Sequence, residues 1–186
     1  MPIPKGEELY TYADYRVWDD NDRWELVDGV AYAMAPPLIR HQRISTLLCA
    51  QLSSFLEDKP CEVIAAPGVR LNAETSDNTV LIPDIAVVCD NSKIDKETII
   101  GAPDLVIEIL SPSTARFDIL TKFRKYQTAQ VREYWVVDPE LDTVTIHCLE
   151  NGKYVTTVYG HEENVSVNVL EGCMINLAKV FPDDSK

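Results

Sequence analysis

Two apolar segments in the middle of the chain each contain one carboxylate, and this pattern constrains the fold more than any other sequence feature. LIPDIAVV spans residues 81–88 and places Asp84 after Pro83, while DLVIEIL spans residues 104–110 and places Glu108 among aliphatic residues. Short runs rich in Val, Ile and Leu are typical of buried strands. Burying a carboxylate without a partner is costly, so each needs a cation or a set of backbone N–H donors nearby.

Local patterns predict two helices and two hairpins around these strands. Thr11 is the predicted N-cap of a short first helix, and apolar residues at helical spacing predict a long amphipathic helix over residues 40–57. Asp28-Gly29 and Asn151-Gly152 each lie between strand-like runs, as in type I′ hairpins.

The remaining segments complete a mixed α/β chain with a central sheet. We predict one strand kinked at Pro67-Gly68, one distorted strand from Val80, and a loop or short helix after Cys89. The other predicted elements are a strand at PDLVIEIL, a helix over residues 115–128 capped by Ser113 or Thr114, a strand at REYWVVDP, a short strand at VSVNVL and a helical turn at INLAKVF.

Length and charge narrow the class of protein. The chain has 186 residues, which we interpret as a single domain over residues 1–186. A net charge of −13 argues against non-specific binding to nucleic acid or an anionic membrane, although residues 111–132 are locally basic. The N-terminus has no signal-peptide core, and five widely spaced cysteines without a CxxC motif are expected to be reduced thiols in a cytoplasmic protein.

The two strand carboxylates favour a metal site. If their strands are neighbours, Asp84 and Glu108 converge, and two carboxylates with water and a phosphate suit Mg²⁺. The structural alternative is that each carboxylate caps a turn. Glu25 in RWELVDG is a third carboxylate in an apolar strand, either part of the metal shell or an exposed strand residue.

Several side chains could assist these carboxylates. Asp118, Lys122 and Tyr126 follow one helical face, so Lys122 either pairs with Asp118 or reaches the carboxylates to help activate water or hold a phosphate. His41, at the start of the long helix, is either a phosphate ligand or an ordinary surface histidine.

The motifs WELVDG, APPLIRHQRI, IPDIAVV, GAPDLVIEILSPSTARFD and VREYWVVDP together resemble the Uma2 (DUF820) family of restriction-endonuclease-like proteins. The resemblance runs from about residue 12 to residue 181. It places the chain in the PD-(D/E)xK nuclease superfamily. The implied fold is a restriction-endonuclease-like core, with a central mixed sheet flanked by helices and extra hairpins.

The resemblance also implies roles for individual residues. Asp84 after Pro83 and Glu108 match the Mg²⁺-binding acids, with Mn²⁺ as a substitute, and Glu25 resembles an additional acidic residue near the metal. Leu110 stands where the family pattern has its lysine, and Lys122 lies where a relocated lysine falls in some lineages.

The function implied is Mg²⁺-dependent hydrolysis of DNA phosphodiesters by a homo-oligomer such as a dimer. Two alternatives remain open: a nuclease-fold interaction module that has lost catalysis, and a hydrolase of small phosphoesters. The expected substrate-binding residues are His41, Arg43, Asp118, Arg124, Lys125 and Tyr126.

Overall fold

The computed structural model describes residues 8–18, 23–111 and 118–181. Its α-helices are α1 (Tyr12–Tyr15), α2 (Ile39–Leu56) and α3 (Phe123–Thr128). Its strands are β1 (Trp24–Val27), β2 (Val30–Ala33), β3 (Glu62–Ala65), β4 (Gly68–Arg70), β5 (Val80–Leu81), β6 (Ile85–Val88), β7 (Thr98–Ile100), β8 (Leu105–Ile109), β9 (Glu133–Asp138), β10 (Thr143–Glu150), β11 (Lys153–Gly160), β12 (Asn164–Ser166) and β13 (Met174–Asn176).

A six-stranded mixed sheet forms the centre, in the order β11-β10-β9-β8-β6-β3. Strands β8 and β9 run parallel and the other neighbours run antiparallel. Every residue of β6 and β8 is buried, because the sheet is covered on both faces. The mixed α+β fold class is therefore confirmed.

Helix α2 covers one face of this sheet. Its buried residues Ile44, Leu48, Leu52 and Leu56 recur every fourth position and pack in one cluster with apolar residues of the central strands. This spacing is what predicted the helix, and the observed bounds agree with the prediction.

The opposite face packs against a second sheet, in the order β2-β1-β5-β4-β7, and against α3. Val106 and Val136 of the central sheet share a cluster with Leu81 of β5 and Tyr126 of α3. A third small sheet consists of β12 and β13.

Two of the crossings between the two main sheets fall inside stretches that were each predicted as one strand, and both single-strand predictions were wrong. The strand expected from Val80 is divided, because Pro83 cannot donate a ladder hydrogen bond; β5 belongs to the second sheet and β6 to the central sheet. The stretch kinked at Pro67-Gly68 is likewise divided into β3 and β4, with Ala66 at φ 48°. The crossings touch, since the Ala66 N–H donates to the Asp84 carbonyl at 2.9 Å.

Both predicted hairpins are confirmed. Asp28 and Gly29 have φ of 52° and 83°, and Asn151 and Gly152 have 50° and 78°, the double positive φ of a type I′ turn. Thr11 precedes α1 as predicted, and its N–H and hydroxyl both donate to Asp14.

Other predictions held in part. Helix α3 follows a π-helical turn over Asp118–Lys122, and the predicted helix start with its caps Ser113 and Thr114 lies outside the described residues. The segment after Cys89 contains a 3₁₀ turn at Asn91–Lys93, as expected. It also contains the three-residue strand β7, which the sequence pattern did not predict. The predicted turn at INLAKVF is a 3₁₀ helix at Leu177–Lys179, preceded by β13, and the strand predicted at VSVNVL is β12.

The cysteine prediction was wrong for one pair. Cys61 and Cys89 are joined by a disulfide. They continue the antiparallel β3–β6 ladder, in which Glu62 faces Val88, so Cys61 and Cys89 lie opposite each other despite a sequence separation of 28. Cys49, Cys148 and Cys173 are free thiols whose pKa is raised by burial.

Within residues 8–18, 23–111 and 118–181, none of the helices combines the length and the apolar character that a membrane crossing requires.

Candidate active site

Asp84 lies at the crossing from β5 to β6, directly before β6. The ladder pairs Ile85 with Ile107, which places Asp84 and Glu108 at the next opposed position of the two neighbouring strands. The Oδ2 atom of Asp84 accepts the N–H of Ile109 at 2.7 Å and lies 3.2 Å from Nε2 of His41. The strands that position the two carboxylates are therefore neighbours. This was the condition under which Asp84 and Glu108 were predicted to converge.

Glu108 lies inside the protein, with 3 % of the residue exposed. Its Oε1 accepts hydrogen bonds from Nζ of Lys122 at 3.0 Å and from the hydroxyl of Tyr126 at 2.7 Å. Tyr126 is fully buried, and burial raises its pKa well above the ordinary value, with the charges of Glu108 and Glu25 adding to the effect. The neutral phenol is therefore a fixed donor that orients Glu108.

Glu25 reaches the same point from the second sheet. Strand β1 lies beside β5, with Leu26 opposite Val80, and the Oε1 of Glu25 accepts the N–H of Ile82 at 2.7 Å. The same oxygen lies 2.9 Å from Nζ of Lys122. Only 3 % of Glu25 is exposed. The alternating sequence pattern also allowed Glu25 to be an exposed strand residue, and the structure excludes that alternative.

Lys122 joins the carboxylates of the two sheets. It ends the π-helical turn, is almost fully buried, and its ammonium forms ion pairs with both Glu25 and Glu108. A buried ammonium requires such compensation, because the loss of hydration costs several kcal/mol. Of the two alternatives for Lys122, the structure shows the one in which it reaches the carboxylates.

A narrow cavity of about 70 Å³ lies among these side chains. It has room for an ion or a few water molecules, and it is much smaller than the roughly 300–1,000 Å³ typical of small-molecule pockets. His41 and Ser111 also line a neighbouring cavity of about 240 Å³. The polar residues lining the narrow cavity are Arg23, Glu25, His41, Asp84, Glu108, Ser111 and Lys122.

Other predicted residues lie elsewhere. Arg43 and Arg124 are exposed, on α2 and α3. Lys125 pairs with Asp28 of the first hairpin at 2.5 Å and lines a separate cavity of about 630 Å³. The side chain of Asp118 lies outside the described residues. Tyr126 contacts Glu108 from within the core, so full burial excludes direct contact with an external substrate.

The sequence predictions missed Cys49 as a neighbour of the site. Cys49 on α2 has its pKa raised by burial and then by the negative charge of Asp84. It lies two helical turns after His41, and this i, i+8 spacing was the available clue. Arg40, in contrast, is engaged away from the site by the carbonyl of Pro139 at 3.1 Å and by Asp142 at 2.7 Å.

The donors present fit an oxygen-preferring divalent cation. In the described part of the chain, no group of three or more His, Cys, Asp or Glu side chains is arranged to hold a metal ion. Mg²⁺ does not require one, since it takes one or two carboxylates and keeps several waters. The carboxylates of Glu25, Asp84 and Glu108 line the cavity with the cationic side chains of Lys122 and Arg23, which leaves a formal excess of one negative charge that a cation would offset.

The sequence matches a family of known proteins over nearly its whole length. Residues 11–178 match the model of the Uma2 family, described as "Putative restriction endonuclease". Two uncharacterized proteins of Synechocystis sp. are similar in sequence. The protein slr1290 is 32% identical over 139 residues, covering 73% of this chain and 70% of its own length. The protein sll1609 is 26% identical over 143 residues, covering 74% and 80%.

A solved structure has a similar fold. It is described as "a putative nuclease belonging to DUF820" from Anabaena variabilis. The two folds superpose with a TM-score of 0.75 at 18% sequence identity, covering 92% of this chain and 97% of the other. At this identity the likeness shows a shared fold.

Proposed function

Because this chain belongs to the Uma2 family, we propose that it is an endonuclease that hydrolyses phosphodiester bonds of DNA with a divalent cation, Mg²⁺ or Mn²⁺. The observation that carries the proposal is that Asp84 lines a narrow cavity together with Lys122 and its two partners, Glu25 and Glu108. Clustered titratable groups of this kind, held from several elements at a cavity, are characteristic of reaction centres.

Asp84 and Glu108 are the proposed ligands of the cation. When bound, a divalent cation supplies positive charge to a phosphodiester anion and to the water that attacks it. The Ile109 N–H and Tyr126 hydroxyl hold the two carboxylates in place through one oxygen each. Glu25 completes the acidic cluster, and because its Oε1 is shared by Lys122 and the Ile82 N–H, its main part is to hold the lysine.

Lys122 is the proposed relocated lysine. Its Nζ lies 3.0 Å from Glu108, close enough to orient an attacking water or to stabilise charge on a phosphate oxygen. Leu110, which stands at the family's usual lysine position, is partly buried in the apolar cluster around Tyr126. The ammonium therefore comes from the following helical segment.

The substrate contacts are proposed to be electrostatic. Arg43 and Arg124 are exposed, while His41 and Ser111 link the narrow cavity to its larger neighbour. With a net charge of −13, affinity for DNA phosphates should be weak and should fall steeply with salt. Among the described residues, the cavity at the carboxylates is smaller than a typical pocket for a small phosphoester, which favours a substrate that approaches from the surface.

The test is a plasmid nicking assay at low salt with Mg²⁺ or Mn²⁺. Wild type is expected to cut, and Asp84→Asn and Glu108→Gln should each lose about a hundredfold or more of the rate. Lys122→Ala should be slowed by a similar factor. Asp104→Asn is a matched control: its carboxylate accepts the Cys89 N–H and pairs with Arg132, away from the site. Full activity in Asp84→Asn would contradict the assignment.

Calorimetric titration with Mn²⁺ distinguishes loss of catalysis from loss of the site. Binding to wild type that disappears in Asp84→Asn supports the cation site even if the plasmid is not a substrate. An interaction module that has lost catalysis is favoured by Leu110 at the usual lysine position. That reading is supported if wild type neither cuts nor binds Mn²⁺.

A further inference from the structure

Strand β11 forms one edge of the central sheet in the part of the chain that the structure describes. It is eight residues long and pairs with β10 along its whole length. Its middle residues, 155–158, are exposed. Long exposed edge strands offer a row of backbone donors and acceptors to another strand, and proteins commonly protect them.

The direction of the β11 amides follows from the neighbouring ladder. The Leu149 N–H of β10 donates to the Arg132 carbonyl at 2.9 Å, toward β9 and away from β11. Leu149 lies opposite Tyr154, so this is a non-hydrogen-bonded pair of the β10–β11 ladder and the Tyr154 amide points outward. The amides of residues 154, 156, 158 and 160 therefore all face away from the sheet.

The chain itself caps the two ends of this row. The Tyr154 N–H donates to Oε1 of Gln127 at 3.0 Å, and the Gly160 N–H donates to Oε2 of Glu163 at 2.6 Å. Among the described residues, no side chain caps the outward amides of Thr156 and Val158. Two adjacent outward-facing positions thus remain available at the centre of the strand.

The exposed surface of this strand carries two valines and no acidic residue. Val155 is 50% exposed and Val158 is 61% exposed. The only charged residue of β11 is Lys153, in a chain whose net charge is −13. Repulsion between two copies of the chain is therefore weaker along this edge than along an acidic surface.

We propose that β11 pairs antiparallel with β11 of a second copy, about a two-fold axis through Thr157. In the new strand pair, residues whose amides face outward must lie opposite each other, and these residues alternate along β11. The two-fold axis therefore lies at a residue position and not midway between Thr156 and Thr157. An axis at Thr157 places Thr156 opposite Val158 of the second copy and Val158 opposite Thr156. Each open amide then gains a carbonyl acceptor, and the central sheets join into one.

A second copy of the chain fits this edge better than an unrelated strand, because the two-fold rotation places the uncapped amide of Thr156 opposite Val158 and that of Val158 opposite Thr156. A two-fold contact requires a surface that complements itself, and the capped ends limit the pairing to this register. The inference does not depend on the proposed nuclease activity, since it rests on the backbone of the sheet edge.

Cysteine cross-linking tests the register. Thr157 would face Thr157 of the second copy in a non-hydrogen-bonded pair, with Cα atoms about 4.5 Å apart, within the range a disulfide spans. Thr157→Cys should form a covalent dimer under mild oxidation. Lys153→Cys is the matched control, since it would face position 161 of the second copy and lies opposite Glu150, not a cysteine, on β10. Wild type oxidised in parallel accounts for the native cysteines. Equal cross-linking of the two variants would overturn the register.

Sedimentation velocity at rising concentration tests the pairing itself. Wild type is expected above the 20.9 kDa of one chain. Val158→Pro removes an amide donor that β10 does not use, and it should shift the protein to monomer while its circular dichroism spectrum is retained. If Val158→Pro alters the fold, the Thr157→Cys result decides. A wild type that stays monomeric, with no Thr157→Cys cross-link, overturns the proposal.

Discussion

Two buried glutamates lie on adjacent parallel strands, and their surroundings differ in an instructive way. Glu108 is on β8 and Glu133 is on β9. Glu133 is fully buried, and its oxygens accept the indole N–H of Trp135 at 2.7 Å and the N–H of Val169 at 3.0 Å. Burial raises its pKa, while these hydrogen bonds act in the opposite direction. Glu133 therefore ties β9 to the C-terminal segment.

Glu108 has the same chemistry but different neighbours. It shares Lys122 with Glu25, lies on the strand beside Asp84, and borders a cavity. A carboxylate within an apolar strand therefore does not by itself mark a reaction centre. The proposed reaction centre rests instead on the convergence of several like charges at a cavity, because such charges favour binding a cation.

The largest expected difference between the two glutamates is in activity. Glu108→Gln should lower the rate of Mg²⁺-dependent plasmid nicking by about a hundredfold or more, because it removes a proposed cation ligand. Glu133→Gln should leave the rate within about twofold of wild type, because its hydrogen bonds lie away from the site. Equal losses of nicking rate in the two variants would show that Glu108, like Glu133, affects the rate only by stabilising the fold.

The next effect is on stability. Lys122→Met should lower the free energy of unfolding by about 3–5 kcal/mol, since two buried glutamates lose their shared cation. Lys125→Met is the matched control; it removes an ion pair with the largely exposed Asp28 and should cost about 0–1 kcal/mol. Urea denaturation measures both. Added Mg²⁺ should recover more stability in Lys122→Met than in Lys125→Met.

A smaller effect depends on pH and involves neither glutamate. Burial lowers the pKa of His147 from 6.5 to about 4, and the ring packs against Tyr134 and accepts or donates a bond with Thr156. Between pH 6.5 and 4 the unfolded chain binds the proton and the folded chain does not. Stability is therefore present above pH 6.5 and declines as the pH falls toward 4, by on the order of 2–3 kcal/mol.

The control for this pH dependence is His147→Phe, which keeps an aromatic ring without the titrating nitrogen. Urea unfolding of this variant should show a flatter dependence between pH 6.5 and 4 than wild type. An unchanged slope would assign the pH dependence to other groups.

The smallest effect comes from one hydroxyl. Tyr126→Phe removes the hydrogen bond to Glu108 and should cost about 1 kcal/mol of stability, with nicking slowed about tenfold by the looser carboxylate. Tyr154→Phe loses a comparable bond, to the carbonyl of Val131, away from the site. It should match the loss of stability in thermal unfolding but retain the nicking rate.

Local sequence rules determined much of the fold. Asp28-Gly29 and Asn151-Gly152 specify their turns because few residues adopt two successive positive φ angles. The four-residue spacing of Ile44, Leu48 and Leu52 specifies α2, and the aliphatic run of residues 105–109 specifies β8. Each of these depends on neighbours within one element, so one sequence was sufficient.

Part of the candidate site also followed from the sequence. Asp84 and Glu108 stand out because a charge within an aliphatic strand requires compensation. Lys122 was a candidate through its helical position, but spacing alone left it free to pair with Asp118. The partners of Glu133 could not be predicted, since REYWVV does not differ in pattern from any other apolar strand.

Tertiary structure decided the rest. It divided the chain at Pro83 and Ala66 between two sheets, paired Cys61 with Cys89, and brought Glu25 to Lys122. Each of these outcomes depends on which strands become neighbours. That choice is made by burial of whole sheet faces and by the pairing of backbone groups far apart in sequence, which local patterns do not encode.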